Sequence, residues 1–262
     1  MLAIYKKEMR SYFINAVGYV YVGAFMALAA LLCCYTTLQS NSYSTSSYFQ
    51  YIIFAMIILI PLLTMRMFAE ERKMRTEQML LTAPVTIFGM VMGKFFAALS
   101  IFVGALLASC INFIPLYATA ASEIASKKAE GDWLSGDHIG PNTAQIWGSL
   151  IGIILIGAAF IAVGLFVSSL TENQLSAAVI TIGVLITMVI LNMLSQAGSS
   201  EDGTRLINSY VVRYVLDWFS VLSRFSNFGY GILDWSALIY YVSLTFIFLY
   251  LTVRVYERRR WA

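Results

Sequence analysis

The stretch SYFINAVGYVYVGAFMALAALLCCYTTLQSNSYSTSSYFQYIIFAMIILIPLLTM, residues 11–65, holds fifty-five consecutive residues without a charged side chain. A charge at the middle of a bilayer costs about 2.5–3.5 kcal/mol on insertion scales, so membrane spans are cleared of charge. One span takes roughly 20 apolar residues. The run therefore predicts two helices, parted by the polar stretch from Gln39 to Ser47. Its apolar part is too long for a cleaved signal peptide, and no small-residue cleavage site ends it before Gln39.

The pattern recurs. Uncharged stretches of 28, 34, 28 and 19 residues lie between Lys94 and Glu123, Asp137 and Glu172, Glu172 and Glu201, and Asp234 and Arg254. Six spans follow, at 17–38, 51–68, 88–118, 146–168, 175–194 and 235–256, as one all-α membrane domain over residues 1–262. The chain is 60% hydrophobic and 12% charged, against roughly 25% charged for a soluble domain. Its mean hydropathy is +0.76 and its pI about 8.7. The basic surplus is placed around membrane spans and does not suggest nucleic acid.

Twelve of the seventeen basic residues fall on one side if the N-terminus is inside: Lys6, Lys7, Arg10, Arg66, Arg72, Lys73, Arg75, Lys94, Arg254, Arg258, Arg259 and Arg260. The other side carries Lys127, Lys128, Arg205, Arg213 and Arg224 beside seven acidic residues. The positive-inside rule then predicts a multi-pass protein of the cell membrane with both termini cytoplasmic.

Several chemistries find no support in the residues. The three cysteines, Cys33, Cys34 and Cys110, have no metal or disulfide spacing. The single histidine, His138, is far from any elbow-like serine, so no catalytic, cofactor or metal residue is assigned. Gly89-Met-Val-Met-Gly93-Lys94 imitates a phosphate loop but is one residue short and lacks the Ser/Thr after the lysine. Gly89 with Gly93, and Gly148 with Gly152, fit small-xxx-small helix contacts better, leaving Lys94 at the headgroup level. The deep polar residues Asn112, Thr181, Thr187 and Asn192 are expected to make interhelical hydrogen bonds. Ion-coupled carriers place ionisable groups at that depth, so any energy for uphill transport is expected from a partner.

The connection between spans two and three reads Met65-Arg-Met-Phe-Ala-Glu-Glu-Arg-Lys-Met-Arg-Thr-Glu-Gln-Met-Leu-Leu-Thr-Ala-Pro84. With no Gly or Pro between Phe68 and Leu81, it predicts a charged helix at 70–81, closed by Pro84, with Thr86 capping the next helix. Ahead of the last span, Ile207, Val211, Tyr214, Trp218, Val221 or Leu222, and Phe225 recur every three or four residues. They predict an amphipathic helix followed by a turn at Gly229 and Gly231.

The 65–84 stretch with Gly93-Lys94-Phe95, and Phe225-Ser-Asn-Phe-Gly-Tyr-Gly-Ile-Leu-Asp234 with the basic C-terminus, resemble ABC exporter permeases of the second type over the whole chain. The similarity points to the branch associated with gliding motility and copper-site maturation. One departure is Met74, where many members have glycine. The resemblance implies an exporting permease subunit without its own ATPase motif, with ATP and Mg bound by a separate cytoplasmic ABC ATPase. It also implies a second permease subunit, identical or different, and an auxiliary membrane protein with an outer domain as a further partner. Carried onto this sequence, Glu70, Glu71, Arg72, Lys73, Arg75, Thr76, Glu77, Leu80 and Leu81 form the ATPase-coupling helix. Residues 1–12 form an interfacial helix, and Thr171, Glu172 and Asn173 a second inner contact. By the residues alone that turn is a helix cap. Tyr214, Trp218, Phe225, Gly229 and Gly231 belong to an outer gate that dips back into the membrane. The alternative is a membrane scaffold of a motility or secretion machine powered by such an ATPase. Glu71→Ala or Glu77→Ala is expected to weaken ATPase association with the fold intact.

The topology is tested by cysteine labelling from outside in a variant without native cysteines. Position 128 is expected to label and position 74 to stay protected; the reverse pattern refutes the arrangement.

Overall fold

In a computed structural model, residues 1–38, 43, 45–76, 78, 86–129, 140–197 and 221–261 are described. Every regular element among them is helical. The chain opens with α1 (Leu2–Ile14), set off from α2 (Ala16–Cys33) by Asn15 in extended conformation, and α2 runs into a π-helical turn, Cys34–Leu38. Next come α3 (Ser46–Lys73), α4 (Ile87–Ser109) and α5 (Ile114–Ala129), then α6 (Thr143–Leu170) and α7 (Gln174–Ala197). Short turns at Ser223–Phe225 and Ser226–Gly229 lead to α8 (Trp235–Trp261).

Among the described residues, six helical stretches are long and apolar enough to cross a membrane: Ala16–Thr37, Ser46–Lys73, Ile87–Ile124, Thr143–Leu170, Gln174–Leu194 and Trp235–Arg260. Each falls on a span expected from the sequence. The third is the longest, and a 3-10 turn at Cys110–Phe113 divides it. Pro115 supplies the reason: it has no N–H for the Ile111 carbonyl, and its ring crowds that carbonyl.

Helices α3 and α6 form the core, with buried residues filling 67% and 72% of their apolar windows, against 28% in α2 and α8. Small residues let these helices and α4 approach. The Phe102 ring fills the space a side chain at position 157 would take, and Thr64 does the same at Gly164. The expected interhelical bonds of two threonines are not formed. Thr181 donates to the Ala177 carbonyl and Thr187 to the Gly183 carbonyl, each within α7. A hydroxyl one helical turn from its own carbonyl finds a partner without a neighbouring helix. The Asn112 carbonyl accepts from Cys33 Sγ at 3.5 Å, and Asn192 is buried at 3% exposure.

The other two glycine pairs do approach closely, with partners different from those expected. A Cβ at Gly93 would stand 3.2 Å from the Met1 carbonyl oxygen and 3.3 Å from Ile4 Cβ, so α1 lies on α4 here. A Cβ at Gly148 would stand 2.7 Å from Gly231 Cα, and one at Gly152 2.9 Å from the Phe225 and Phe228 side chains. Gly148 and Gly152 thus receive the 225–231 turn.

Packing predicts opposite signs for two substitutions. Gly104 has open space around its Cβ position, so Gly104→Ala is expected to raise stability by about 0.5–1 kcal/mol through helix propensity. Gly157→Ala drives a methyl into Phe102 and is expected to cost about 1–3 kcal/mol. Thermal unfolding of the purified variants in detergent distinguishes them, and equal shifts contradict this packing.

Candidate functional site

At one end of the bundle, α1, the ends of α3 and α8, the start of α4 and the α6–α7 turn converge. At their centre is Lys94, with 0% exposure. Its ammonium donates to Glu8 Oε1 at 3.0 Å and to the Met67 carbonyl at 2.6 Å, and pairs with Glu71 Oε2 at 2.9 Å. It also lies 5.0 Å from the Phe68 ring centroid. Two hydrogen bonds and one further ion pair thus surround the ammonium. Lys7 donates to the other Glu71 oxygen at 3.1 Å. Burial lowers the Lys7 ammonium, but the charge and hydrogen bond of Glu71 and the charge of Glu8 outweigh it, leaving its pKa above the ordinary value. Lys94 is an interior charge bonded to two other helices, α1 and α3.

The seating of α1 explains its amphipathic sequence. Glu8 and Tyr12 face inward. The Tyr12 hydroxyl donates to the Leu63 carbonyl at 2.6 Å, and burial pushes its pKa up, keeping it the donor. Tyr5 meets Ser100 of α4 at 3.1 Å.

Further bonds clamp the foot of α3. Ser168 Oγ accepts from the Phe68 and Ala69 N–H groups at 3.3 and 3.2 Å. Arg72 donates to the Leu170 carbonyl at 3.0 Å and pairs with Glu172 at 3.0 Å. From α8, Arg259 donates to the Ser169 carbonyl at 2.7 Å. The turn between α6 and α7 is capped as the sequence indicated, the Asn173 side chain accepting from the Leu175 N–H at 3.3 Å. Thr86 likewise caps α4 through the Gly89 N–H.

The 70–81 helix is not continuous. Helix α3 carries straight on through Lys73, and Met74–Thr76 form a turn. The Thr76 N–H bonds to the Glu71 carbonyl at 3.0 Å and the Arg75 N–H to the Arg72 carbonyl at 3.1 Å. This is the Schellman closure, with Arg75 at φ 56° in the position glycine usually takes. Gln78 is helical again; Glu77, Leu80 and Leu81 lie outside the described residues. Helix propensity alone favoured continuation, but the tertiary ties of Glu71 and Arg72 override it.

Among the expected docking residues, Glu70 is engaged with Arg66 of its own helix at 2.8 Å. Glu71 faces the interior. Lys73, Arg75 and Thr76 are exposed. Arg72, Lys73 and Arg75 join Glu172 and Asn173 around an open groove of about 400 Å³; Thr171, the residue before Glu172, closes α6 by donating to the Val167 carbonyl at 3.2 Å. Residues a hundred positions apart in sequence thus share one surface.

At the opposite end, Phe225 and Phe228 seat against Gly152, about 14 Å along α6 from Thr143 at 1.5 Å per residue. Gly231 has φ +80°, and a Cβ there would stand 3.0 Å from the Ala144 carbonyl, so glycine is required. Tyr241 anchors the segment by donating to the Val221 carbonyl at 2.6 Å. Gly229 lines a pocket of about 420 Å³ with Ser46, Gln50, Asn192, Phe225 and Tyr230. Tyr214 and Trp218 lie outside the described residues.

The family model of the ABC-2 family transporter protein matches residues 13–256. The chain belongs to the ABC-2 transporter family. It is therefore a transmembrane ABC permease, and its six apolar helices are those of a multi-pass membrane protein. A search of the curated proteins finds no match.

The permease's inward Glu71 changes what its removal does. Glu71→Ala strips a carboxylate from the buried Lys94 ammonium and is expected to destabilise the protein by about 3–5 kcal/mol. Glu172 is largely exposed, so Glu172→Ala breaks its pair with Arg72 at a cost below about 1 kcal/mol. Melting temperatures of the two purified variants check the order, which reverses if Glu71 faces solvent.

Proposed function

We propose that this permease is one half of a paired transport pore, driven by a separate cytoplasmic ABC ATPase that docks on the Lys94 end. The observation that carries this reading is the groove between Arg72, Lys73, Arg75, Glu172 and Asn173. A partner seated there contacts the end of α3 and the α6–α7 turn together. These lead directly into α3 and α6, the most enclosed helices, so force applied at the groove enters the core. The basic surplus of this end supports a cytoplasmic position for it under the positive-inside rule.

Three finer assignments accompany it. The half-pore needs a second permease copy or a homologue, and the broad exposed apolar faces of α2 and α8 leave room for one as well as for lipid. Export is the direction the sequence resemblance favours, with the single domain spanning residues 1–262. The branch associated with gliding motility and copper-site maturation is favoured by the stretch from Phe225 to Asp234. Its Gly229 and Gly231 fall in a turn packed into the bundle end, as an outer gate requires. ATP and Mg belong to the ATPase, and an auxiliary membrane protein with an outer domain fits the same branch.

The groove is tested by charge reversal at its exposed rim. Lys73→Glu and Arg75→Glu are expected to lower the ATPase recovered per purified permease by about tenfold each, equivalent to about 1.4 kcal/mol. Lys127→Ala and Lys128→Ala leave it unchanged. Full recovery with both groove variants removes the docking assignment.

A further inference from the structure

We propose that Lys94 is the positioning residue of this face. Its ammonium locks α1 and the foot of α3 onto the start of α4, so that a push on the Met74–Thr76 turn moves all three as one body. The proposal rests on reading that turn as part of the ATPase-docking site.

The route runs through one residue. Glu71 holds the turn with its backbone and Lys94 with its side chain. The Glu71 carbonyl accepts from the Thr76 N–H at 3.0 Å and from Thr76 Oγ1 at 3.2 Å. Its carboxylate lies 2.9 Å from Lys94 and 3.1 Å from Lys7. Lys94 passes the constraint to Glu8 of α1 at 3.0 Å, and through its own backbone to α4. Lys7 lies on α1 as well, so α1 grips Glu71 directly and through Lys94. Helix α1 is separated from α2 by the extended Asn15, so its seat is set by these contacts and not by continuity with a span. Gly93, next to Lys94, supplies the space in which the α1 backbone reaches α4. An ammonium with no exposure, two hydrogen bonds and a second carboxylate at 2.9 Å holds its partners in one arrangement, because any separation leaves a buried charge unpaired.

The experiment uses full-length permease in membranes, without native cysteines and carrying Ile4→Cys and Gly93→Cys. A Cβ at 93 stands 3.3 Å from Ile4 Cβ, close to the roughly 3.5–4.5 Å a disulfide requires. Oxidative crosslinking reports whether α1 is seated and needs no ATPase. Lys94→Met and Glu8→Met are expected to slow crosslinking by at least about tenfold, as the loss of one partner of a buried charge pair implies. Glu8→Met keeps the Lys94–Glu71 pair and serves if Lys94→Met does not fold, which size-exclusion elution shows. In the assembled transporter, Lys94→Met is expected to retain bound ATPase but lose its transport-linked activity, and the preformed 4–93 disulfide to restore it. Unchanged crosslinking in both variants overturns the proposal. So does slowed crosslinking with full transport-linked activity, or a loss that the disulfide does not restore. If the unmodified permease binds no ATPase, the docking reading fails instead, while the crosslinking rates still decide whether Lys94 seats α1.

Discussion

A fully buried ammonium in an apolar bundle dictates the arrangement around it. Removing a lysine from water costs several kcal/mol, which only close counter-charges and good hydrogen bonds offset. Lys94 obtains them from Glu8, Glu71 and the Met67 carbonyl. These groups lie on α1 and α3, while Lys94 itself lies on α4. The requirement therefore fixes the rotation of three helices about their axes, something non-directional apolar packing does weakly. It also accounts for the glycine before the lysine: a Cβ at position 93 would stand 3.2 Å from the Met1 carbonyl oxygen, and the bare backbone there lets α1 lie directly on α4.

The six spans were legible because a bilayer filters sequence harshly. Residues 11–65 contain no charge, and the structure places α2 and most of α3 there. Caps were legible too, because Thr86 and Asn173 bond to N–H groups two or three residues away. What failed was long-range or hidden in the backbone. Nothing local couples Lys94 to Glu8, 86 positions distant. Gly89 and Gly93 advertised a close approach but not its partner, which is α1 and not another span. The end of α3 lacks a glycine because Arg75 occupies the left-handed position, so the sequence signal for termination was missing. Its cost, about 1–2 kcal/mol for a non-glycine residue, is offset by the Schellman bonds and by the anchoring of Glu71 and Arg72. The inward side chain of Glu71 was hidden for a related reason: its partner Lys94 lies 23 positions away on another helix.

The two ends of the bundle are held by different physics. At the Lys94 end the ties are ionic and hydrogen-bonded: Arg72 to Glu172, Arg259 to the Ser169 carbonyl, Ser168 to the α3 backbone. At the other end steric fit predominates, with Phe225, Phe228 and Gly231 set against Gly148 and Gly152 beside the hydrogen bonds of Tyr241 to the Val221 carbonyl and Ser149 to the Phe228 carbonyl. Polar ties exchange partners over short displacements, whereas interdigitated packing resists gradual deformation. Between them, α3 and α6 pack tightly, Thr64 on Gly164. Such a core carries a displacement from the polar end to the steric end with little internal bending.

Charge balance gives the polar end freedom to be displaced as a unit. Lys7 and Lys94 carry two positive charges, and Glu8 and Glu71 two negative ones, so the cluster is neutral as a whole. A neutral group of mutually bonded charges crosses a change in dielectric at far lower cost than a single unpaired charge, because its far field largely cancels. Moving α1, the foot of α3 and the start of α4 together preserves every bond in the cluster. Moving any one of them alone exposes a buried charge to an apolar neighbour. Concerted motion is therefore the low-energy response of this end to force, and separate motion of its helices is the costly one.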